Sequence, residues 1–526
     1  IVRPSLRFET SRRTGSGGWE GSLLLSTNQD ESGTGTRLRR DAQGQEIERA
    51  DIAIDSPIKG GEARLAGDFP FAGGTLRGNG SLTYQDYRTR ERLSFATGPF
   101  GGTEARIDDR IETVSGELGA EWTRQFGKAL TSKVLLLGTR KDTAIRSASD
   151  EGGVTSDFAS DSLADERILR IAFDRPSDDG LGWEAGGEIA YNSLGSRAGL
   201  TLDGLPFALP NSNVIITEWR GDLFGRIKWQ LTPAFQAEGT IRAEQSALRQ
   251  RDRSNGESYG RDFTYVKPKL ALQWDIGARD QLRLRAEREV SQLDFSDFAS
   301  TASLIEGTID AGNADLKPET AWILEAAWER RFIRDGAVTM TLRHDRIDNV
   351  LDRVAIGTLD APGNIGRGTV NAAALGLSWP LDSLGLQGGR VNFDGEWRHS
   401  TVRDPITGNK RSIAAKAPFA GEFHATLDRP ELKSTFTLDV YFGQELTYSR
   451  IDEVRRTNAQ PYVSLKWTYR PNTRLTLEAS AENILSRRRA RDRSLYDGPR
   501  NTGDLLFEES RSFRSRPGLF LSLRYQ

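Results

Sequence analysis

Asn313-Ala314-Asp315-Leu316-Lys317-Pro318-Glu319-Thr320 runs directly into Ala321-Trp322-Ile323-Leu324-Glu325-Ala326-Ala327-Trp328-Glu329. The first part is polar and carries a proline, as a loop does. The second alternates. Trp322, Leu324, Ala326 and Trp328 fall on one face, and Ile323, Glu325, Ala327 and Glu329 on the other. A period of two is the strand period. A face of aromatic and aliphatic side chains backed by one carrying carboxylates suits a sheet with lipid on one side and a wet lumen on the other.

The same grammar extends in both directions. Upstream, Phe263 to Trp274 sets Leu270, Leu272 and Trp274 against Lys269, Ala271 and Gln273. After the turn Asp275-Ile276-Gly277-Ala278-Arg279-Asp280, the segment Gln281 to Glu289 sets Leu282, Leu284 and Ala286 against Arg283, Arg285 and Glu287. Downstream, Trp322 to Phe332 turns at Arg334-Asp335-Gly336 into Val338 to Leu342. Further short turns are predicted at Phe69 to Gly74, Phe126-Gly127-Lys128, Pro176-Ser177-Asp178-Asp179, Leu231-Thr232-Pro233, Pro380 to Gly385, Arg429 to Lys433 and Arg470 to Thr473. Between them, long loops are predicted near Asp30 to Gly61, Arg88 to Ile107, Ser147 to Ala164, Leu194 to Asn213, Gln250 to Asp262, Asp294 to Lys317, Ser400 to Lys416, Glu445 to Thr457 and Ser486 to Glu509. Short turns at one end and long loops at the other describe an all-β, antiparallel transmembrane barrel; counting back from the C-terminus and taking an even number gives about 22 strands. The last segment, with Leu519, Leu521, Leu523 and Tyr525 on one face, fits a closing strand.

Composition narrows the alternatives. No linker, charge block or change of pattern divides the 526 residues, so one large unit is expected despite the length. There are no cysteines, which removes disulfides and thiolate metal sites. The mean hydropathy of −0.54 looks soluble, but a barrel hides its apolar residues by alternation. A net charge of −2 gives no case for nucleic-acid binding. Only twelve of the 72 basic residues are Lys. That bias suits bidentate recognition of phosphate or carboxylate, on lipopolysaccharide or a solute; GC-rich codon usage explains it more simply.

Asn313 to Glu329 resembles the N-P-x-L-K-P-E…E-x-G segment of TonB-dependent outer-membrane receptors, with Ala314 where the family has Pro. The motif residues are Asn313, Leu316, Lys317, Pro318 and Glu319. Tyr265 to Leu270, Val290 to Phe298 and Ala481-Glu482-Asn483-Ile484-Leu485 are similar to family segments in the same order, and the C-terminal strand resembles the family's insertion signal, save that Tyr525 is penultimate. The resemblance implies a barrel over residues 5–526 in the cell outer membrane, energised uptake of a scarce solute (siderophore, vitamin, glycan or peptide), and work with the TonB–ExbB–ExbD complex. It also implies an N-terminal plug domain. Ile1-Val2-Arg3 resembles the end of that plug, so residues 1–4 are expected to be its tail or a linker, with the plug itself absent from this chain. A plugless pore, or a structural barrel subunit of a larger envelope assembly, is the alternative.

Candidate chemistry is sparse. His344, His399 and His424 are dispersed, with none of the converging spacing a metal needs, and Met340 is the one Met. The carboxylates Asp150, Glu151, Asp157, Asp161 and Asp165 could crowd round a hard cation, but a solvated loop is the simpler expectation. No nucleophile elbow or triad spacing appears, so no enzyme activity, cofactor or catalytic residue is expected. Arg283, Arg285, Glu287, Glu325 and Arg343 are expected to face the lumen and meet a plug or solute, and Phe295, Phe298 and Tyr496 to offer rings to a ligand from extracellular loops.

Overall fold

The computed structural model describes residues 3–127, 130–176, 180–332 and 335–525. Outside these lie the first two residues of the Ile1-Val2-Arg3 junction, the terminal Gln526, and parts of the turns expected at Phe126-Gly127-Lys128, Pro176-Ser177-Asp178-Asp179 and Arg334-Asp335-Gly336.

Neighbouring strands pair antiparallel in sequence order. Gly17–Arg40 pairs with Glu46–Phe71, which pairs with Gly74–Thr97, and the ladder continues in this way towards the C-terminus. Leu505–Ser515 then pairs with residues 33–40 of the Gly17–Arg40 strand, bringing the ladder back to its beginning. Ser5–Thr14 pairs along the other half of that strand. The sheet comprises 27 strand segments among the described residues. Several are halves of one passage, such as Ser434–Tyr441 with Gln444–Ser449 and Gly518–Tyr525 with Leu505–Ser515, so segments do not count crossings.

The alternation read from the sequence sets which face looks out. Trp219, Leu223, Ile227 and Trp229 on Asn213–Thr232 are all more than half exposed. Two tryptophans ten positions apart on a strand tilted about 40° lie about 25 Å apart along the axis, the height of an apolar band. Trp274, Trp328, Trp467 and Tyr525 carry the lower aromatic girdle round the wall, and Trp322 and Trp397 the upper one. Apolar side chains so exposed would be unfavourable in water; in lipid they are the buried surface.

One expectation is overturned. The stretches read as long loops near Asp30 to Gly61, Arg88 to Ile107, Ser147 to Ala164, Glu445 to Thr457 and Ser486 to Glu509 are largely paired strands, in hairpins closed by short connections such as Gly152-Gly153. The reason is inward packing. Ile52 and Ile54 meet Leu93, Phe95 and Ala105 on the lumen face, and that cluster keeps the hairpins zipped well beyond the lipid band. The carboxylates of Asp157, Asp161 and Asp165 therefore lie strung along one strand, Val154–Arg175, rather than gathered in a loop.

A second sheet sits inside the mouth. Thr301–Ser303, Thr308–Asp310, Leu359–Asn364 and Leu351–Ile356 form four short strands, contributed by the connections 291–319 and 349–367. Phe298, Ala299 and Leu316 pack against Leu194, Val214, Ile216 and Leu248, all inward-facing residues of the wall. Ala302 packs in the same way against Phe158 and Leu200. The apolar core of this protein is thus largely the seam between the wall and its own in-folded loops.

Candidate functional site

The sequence motif that reveals the fold is a clamp between these two in-folded connections. Asn313 donates from Nδ2 to the Pro362 carbonyl at 2.8 Å and accepts from the Asp315 N–H at 2.8 Å. Asn364 Oδ1 accepts from the Lys317 N–H, and Asn364 Nδ2 donates to the Lys317 carbonyl, both at 2.9 Å. The Glu319 carboxylate accepts from the Leu351 N–H at 3.1 Å. Leu316 is fully buried between them. A short polar run with one leucine and a rigid proline satisfies backbone groups that would otherwise be stranded inside the mouth.

Ion pairs staple this assembly to the wall. Glu306, between two of the short strands, accepts from Arg491 Nη1 at 2.7 Å and also pairs with Arg455. Arg493 donates to the Glu306 carbonyl at 3.2 Å and to Glu453 Oε2 at 2.7 Å. Arg450 holds Asp310 and, at 3.0 Å, Asp360. Arg411 bridges Asp352 and Asp404 at 2.8 and 2.7 Å, and Arg500 reaches Asp404 at 2.7 Å. Burial pushes the Asp404 carboxyl up, but the Thr407 N–H and the two guanidiniums outweigh it and hold the group well below the usual carboxylate range. Asp297 goes the other way. Burial and neighbouring Asp294 raise it to about 6 against the pull of Arg353.

Beside the staple lies a cavity of about 530 Å³. Tyr87, Glu91, Asp109, Arg487, Arg491 and Phe513 are among its lining residues. Four of these carry a buried polar atom with no hydrogen-bond partner among the described residues: Glu91 Oε1, Asp109 Oδ1, Arg487 Nε and Arg491 Nε. Such groups are costly to bury without a partner. The cavity thus gathers carboxylates and guanidiniums, which suits a solute with both donors and acceptors.

The lumen candidates named from the sequence share the inner face. Arg285 pairs with Glu287 and with Glu325, each at 2.7 Å, Arg283 reaches Glu329 at 3.4 Å, and Arg343 holds Asp345 at 2.7 Å. The loop aromatics are placed differently from one another. Phe298 is fully buried in the seam, so its ring is not presented at the mouth, while Phe295 packs beside it edge-on and partly exposed. Tyr496 is partly exposed at the distal end of Arg488–Tyr496. His344, His399 and His424 lie on three strands, and among the described residues no group of three or more His, Cys, Asp and Glu is placed to hold a metal ion. The wall arginines went unread in the sequence. The signal was there: Arg487, Arg489, Arg491 and Arg493 recur at every second position and so share one face of the wall.

A family model described as TonB dependent receptor-like, beta-barrel, matches residues 60–484. No curated protein sequence matches the chain. Among solved structures, the copper transporter OprC superposes with a TM-score of 0.62 at 12% identity, over 98% of this chain and 80% of that one. The ferric yersiniabactin uptake receptor FyuA from Yersinia pestis gives 0.60 at 10% identity, over 98% and 78%. The siderophore receptor PiuA from Acinetobacter baumannii gives 0.57 at 9% identity, over 94% and 86%. Likeness at such low identity speaks to the fold.

Proposed function

The chain belongs to the TonB-dependent receptor β-barrel family, and from that premise we propose that it is an outer-membrane receptor taking up one scarce, polar small solute through the cavity beside its in-folded loops. Receptors of this family lie in the outer membrane and generally work with the TonB–ExbB–ExbD complex. The observation that carries the reading for this chain is the gathering of Glu91, Asp109, Arg487 and Arg491 round one cavity. Both signs are present, with Tyr87 and Phe513 beside them, which suits an organic solute or a chelate. Met340, the one Met, is half exposed on the outward face, so soft ligation of a bare cation has little to draw on. Structurally similar proteins are named for ferric siderophores and copper, and a ferric chelate is the first class to try. In the same reading, residues 1–4 are a linker, and a plug, encoded ahead or supplied separately, gates the lumen against Arg283, Arg285, Glu287, Glu325 and Arg343. Phe295 and Tyr496 face the arriving ligand.

The test is accumulation of radiolabelled ferric citrate and ferric catecholate in cells producing the protein, with and without functional TonB. Uptake that requires both protein and TonB supports the reading. Equal uptake in TonB-deficient cells overturns it in favour of a passive pore. The intact mass of protein purified from its native envelope tests the plug: a value well above 58.3 kDa places it on the same polypeptide.

A further inference from the structure

The outer wall carries a trench of about 1830 Å³ among the strands between Gly17–Arg40 and Asn213–Thr232. It follows a row of directly paired, outward-facing residues: Gly80, Leu118, Gly138, Arg167, Tyr191 and Trp219. Because strands tilt, such a row climbs diagonally across the lipid band. Small and large residues alternate over its first four positions, and the glycines make the floor. Gly138 is open: a Cβ there would meet nothing within 4 Å.

Arg167 is the anomaly. It shares its face with Leu169, Ile171 and Phe173, whose exposed side chains meet lipid. Its side chain is exposed and makes no ion pair or hydrogen bond among the described residues. One rung further out, Arg140 Nη1 lies 3.4 Å from Asp165 Oδ1, so that cation is already shared, and Asp142 stands a rung beyond. The row ends at the ring pair Tyr191 and Trp219, 4.9 Å apart, the amphipathic residues of the lipid–water boundary. An unpaired arginine in contact with lipid is unfavourable, and its usual partners are a carboxylate or a headgroup; the carboxylate on its own face, Asp165, lines the same trench and is taken up by Arg140.

We propose that this trench binds one anionic, phosphate-bearing lipid of the outer leaflet, with an acyl chain lying over Gly138 between Leu118 and Leu169 and a headgroup phosphate on Arg167. The phosphate gives the guanidinium the bidentate partner that the protein withholds. The chain fills apolar volume that bulk lipid would otherwise pack poorly. The inference uses the outer-membrane placement and does not depend on which solute the lumen carries.

Native mass spectrometry of the full-length protein, released from detergent with bis-phosphorylated lipid A or with a phosphate-free analogue, tests it. Wild type is expected to retain lipid A at least fivefold better than the analogue. R167Q is expected to abolish that preference, and G138L to reduce retention of both lipids about fivefold. Heat-modifiable gel migration establishes that each variant is folded; if G138L fails that check, R167Q alone decides. Preference for the phosphorylated lipid that survives R167Q overturns the headgroup contact. Retention unchanged in folded G138L overturns the trench as the acyl site. A stable dimer that lipid A does not dissociate overturns the lipid in favour of a second copy.

Discussion

Glu306 Oε2 lies 2.7 Å from Arg491 Nη1, joining an in-folded connection to a strand of the barrel wall far along the chain. The pair explains why a connection of nearly thirty residues can rest inside a lumen. Its backbone is satisfied by the Asn313 and Asn364 amides, its Leu316 and Phe298 are buried against the wall, and its Glu306 and Asp310 carboxylates meet Arg450, Arg455 and Arg491. Seating is thus a balance of several modest interactions, the kind that a ligand or a partner can shift.

Replacing Glu306 should unseat the loop without unfolding the barrel. In E306A, Arg491 keeps Glu509 and Arg455 keeps Glu453, so the loss is about 1–2 kcal/mol of local stability, charge-assisted hydrogen bonds being worth about that. The chain has no cysteine, so A302C gives a single reporter buried in the seam. A membrane-impermeant maleimide should label A302C about tenfold faster in the E306A background. Unchanged labelling would show that the apolar contacts hold the loop alone.

Arg493 tests burial against exposure. Its side chain is 8% exposed and its partner Glu453 2%. R493A leaves that carboxylate with Arg455 only, and should cost about 2 kcal/mol. Arg283 pairs with Glu329 with about half its side chain exposed, and R283A should cost under about 0.5 kcal/mol. Urea titration of the two variants, refolded into the same bilayer, compares them directly; equal midpoints would remove the distinction.

Seating should also respond to pH through Asp297. Its carboxyl is raised to about 6 by burial and by Asp294, against about 3.9 in an unfolded or unseated chain. Below pH 4 both states bind the proton and the group costs nothing. As pH rises from about 4 to about 6, the unseated state ionises first, so stability is lost across that window and stays lower above it. Hydrogen exchange of residues 291–319, corrected for intrinsic rate, should be slower at pH 4.5 than at pH 7. D297N should remove this component. Protection that instead rises with pH in wild type would contradict the assignment.

How much of this was legible depended on period. Trp322, Leu324 and Trp328 against Glu325 and Glu329 state the strand and its two faces outright, because a lipid-facing surface and a wet one demand opposite residues. The inward ladder of Arg285, Glu287 and Glu325 followed from the same alternation. The distal hairpins did not. Asp51-Ile52-Ala53-Ile54-Asp55 alternates too, but beyond the membrane no outside apolar face marks it, and only contact with Leu93 and Phe95 makes it strand. The in-folded loops were hidden for a similar reason. Phe298 reads as an exposed loop ring until the wall residues Val214 and Ile216, distant in sequence, close over it. The arginines on Ser486 to Tyr496 could have been found by counting every second residue.

The two faces of a single strand give the sharpest check on the architecture. Leu223 is 72% exposed in the middle of the outward row between Trp219 and Trp229. In lipid, L223R should cost about 2–4 kcal/mol, the penalty for a cation near the midplane of a barrel's outer face. Thr341, on the inward face of Gly336–Asp348 beside Arg343, meets water, and T341R should cost less than about 1 kcal/mol. Both variants add the same side chain, so differences of propensity largely cancel. Folding efficiency into lipid vesicles, read by gel migration, should fall sharply for L223R and little for T341R. The reverse order would mean that the faces are assigned inside out, and that the trench at Gly138 opens on water.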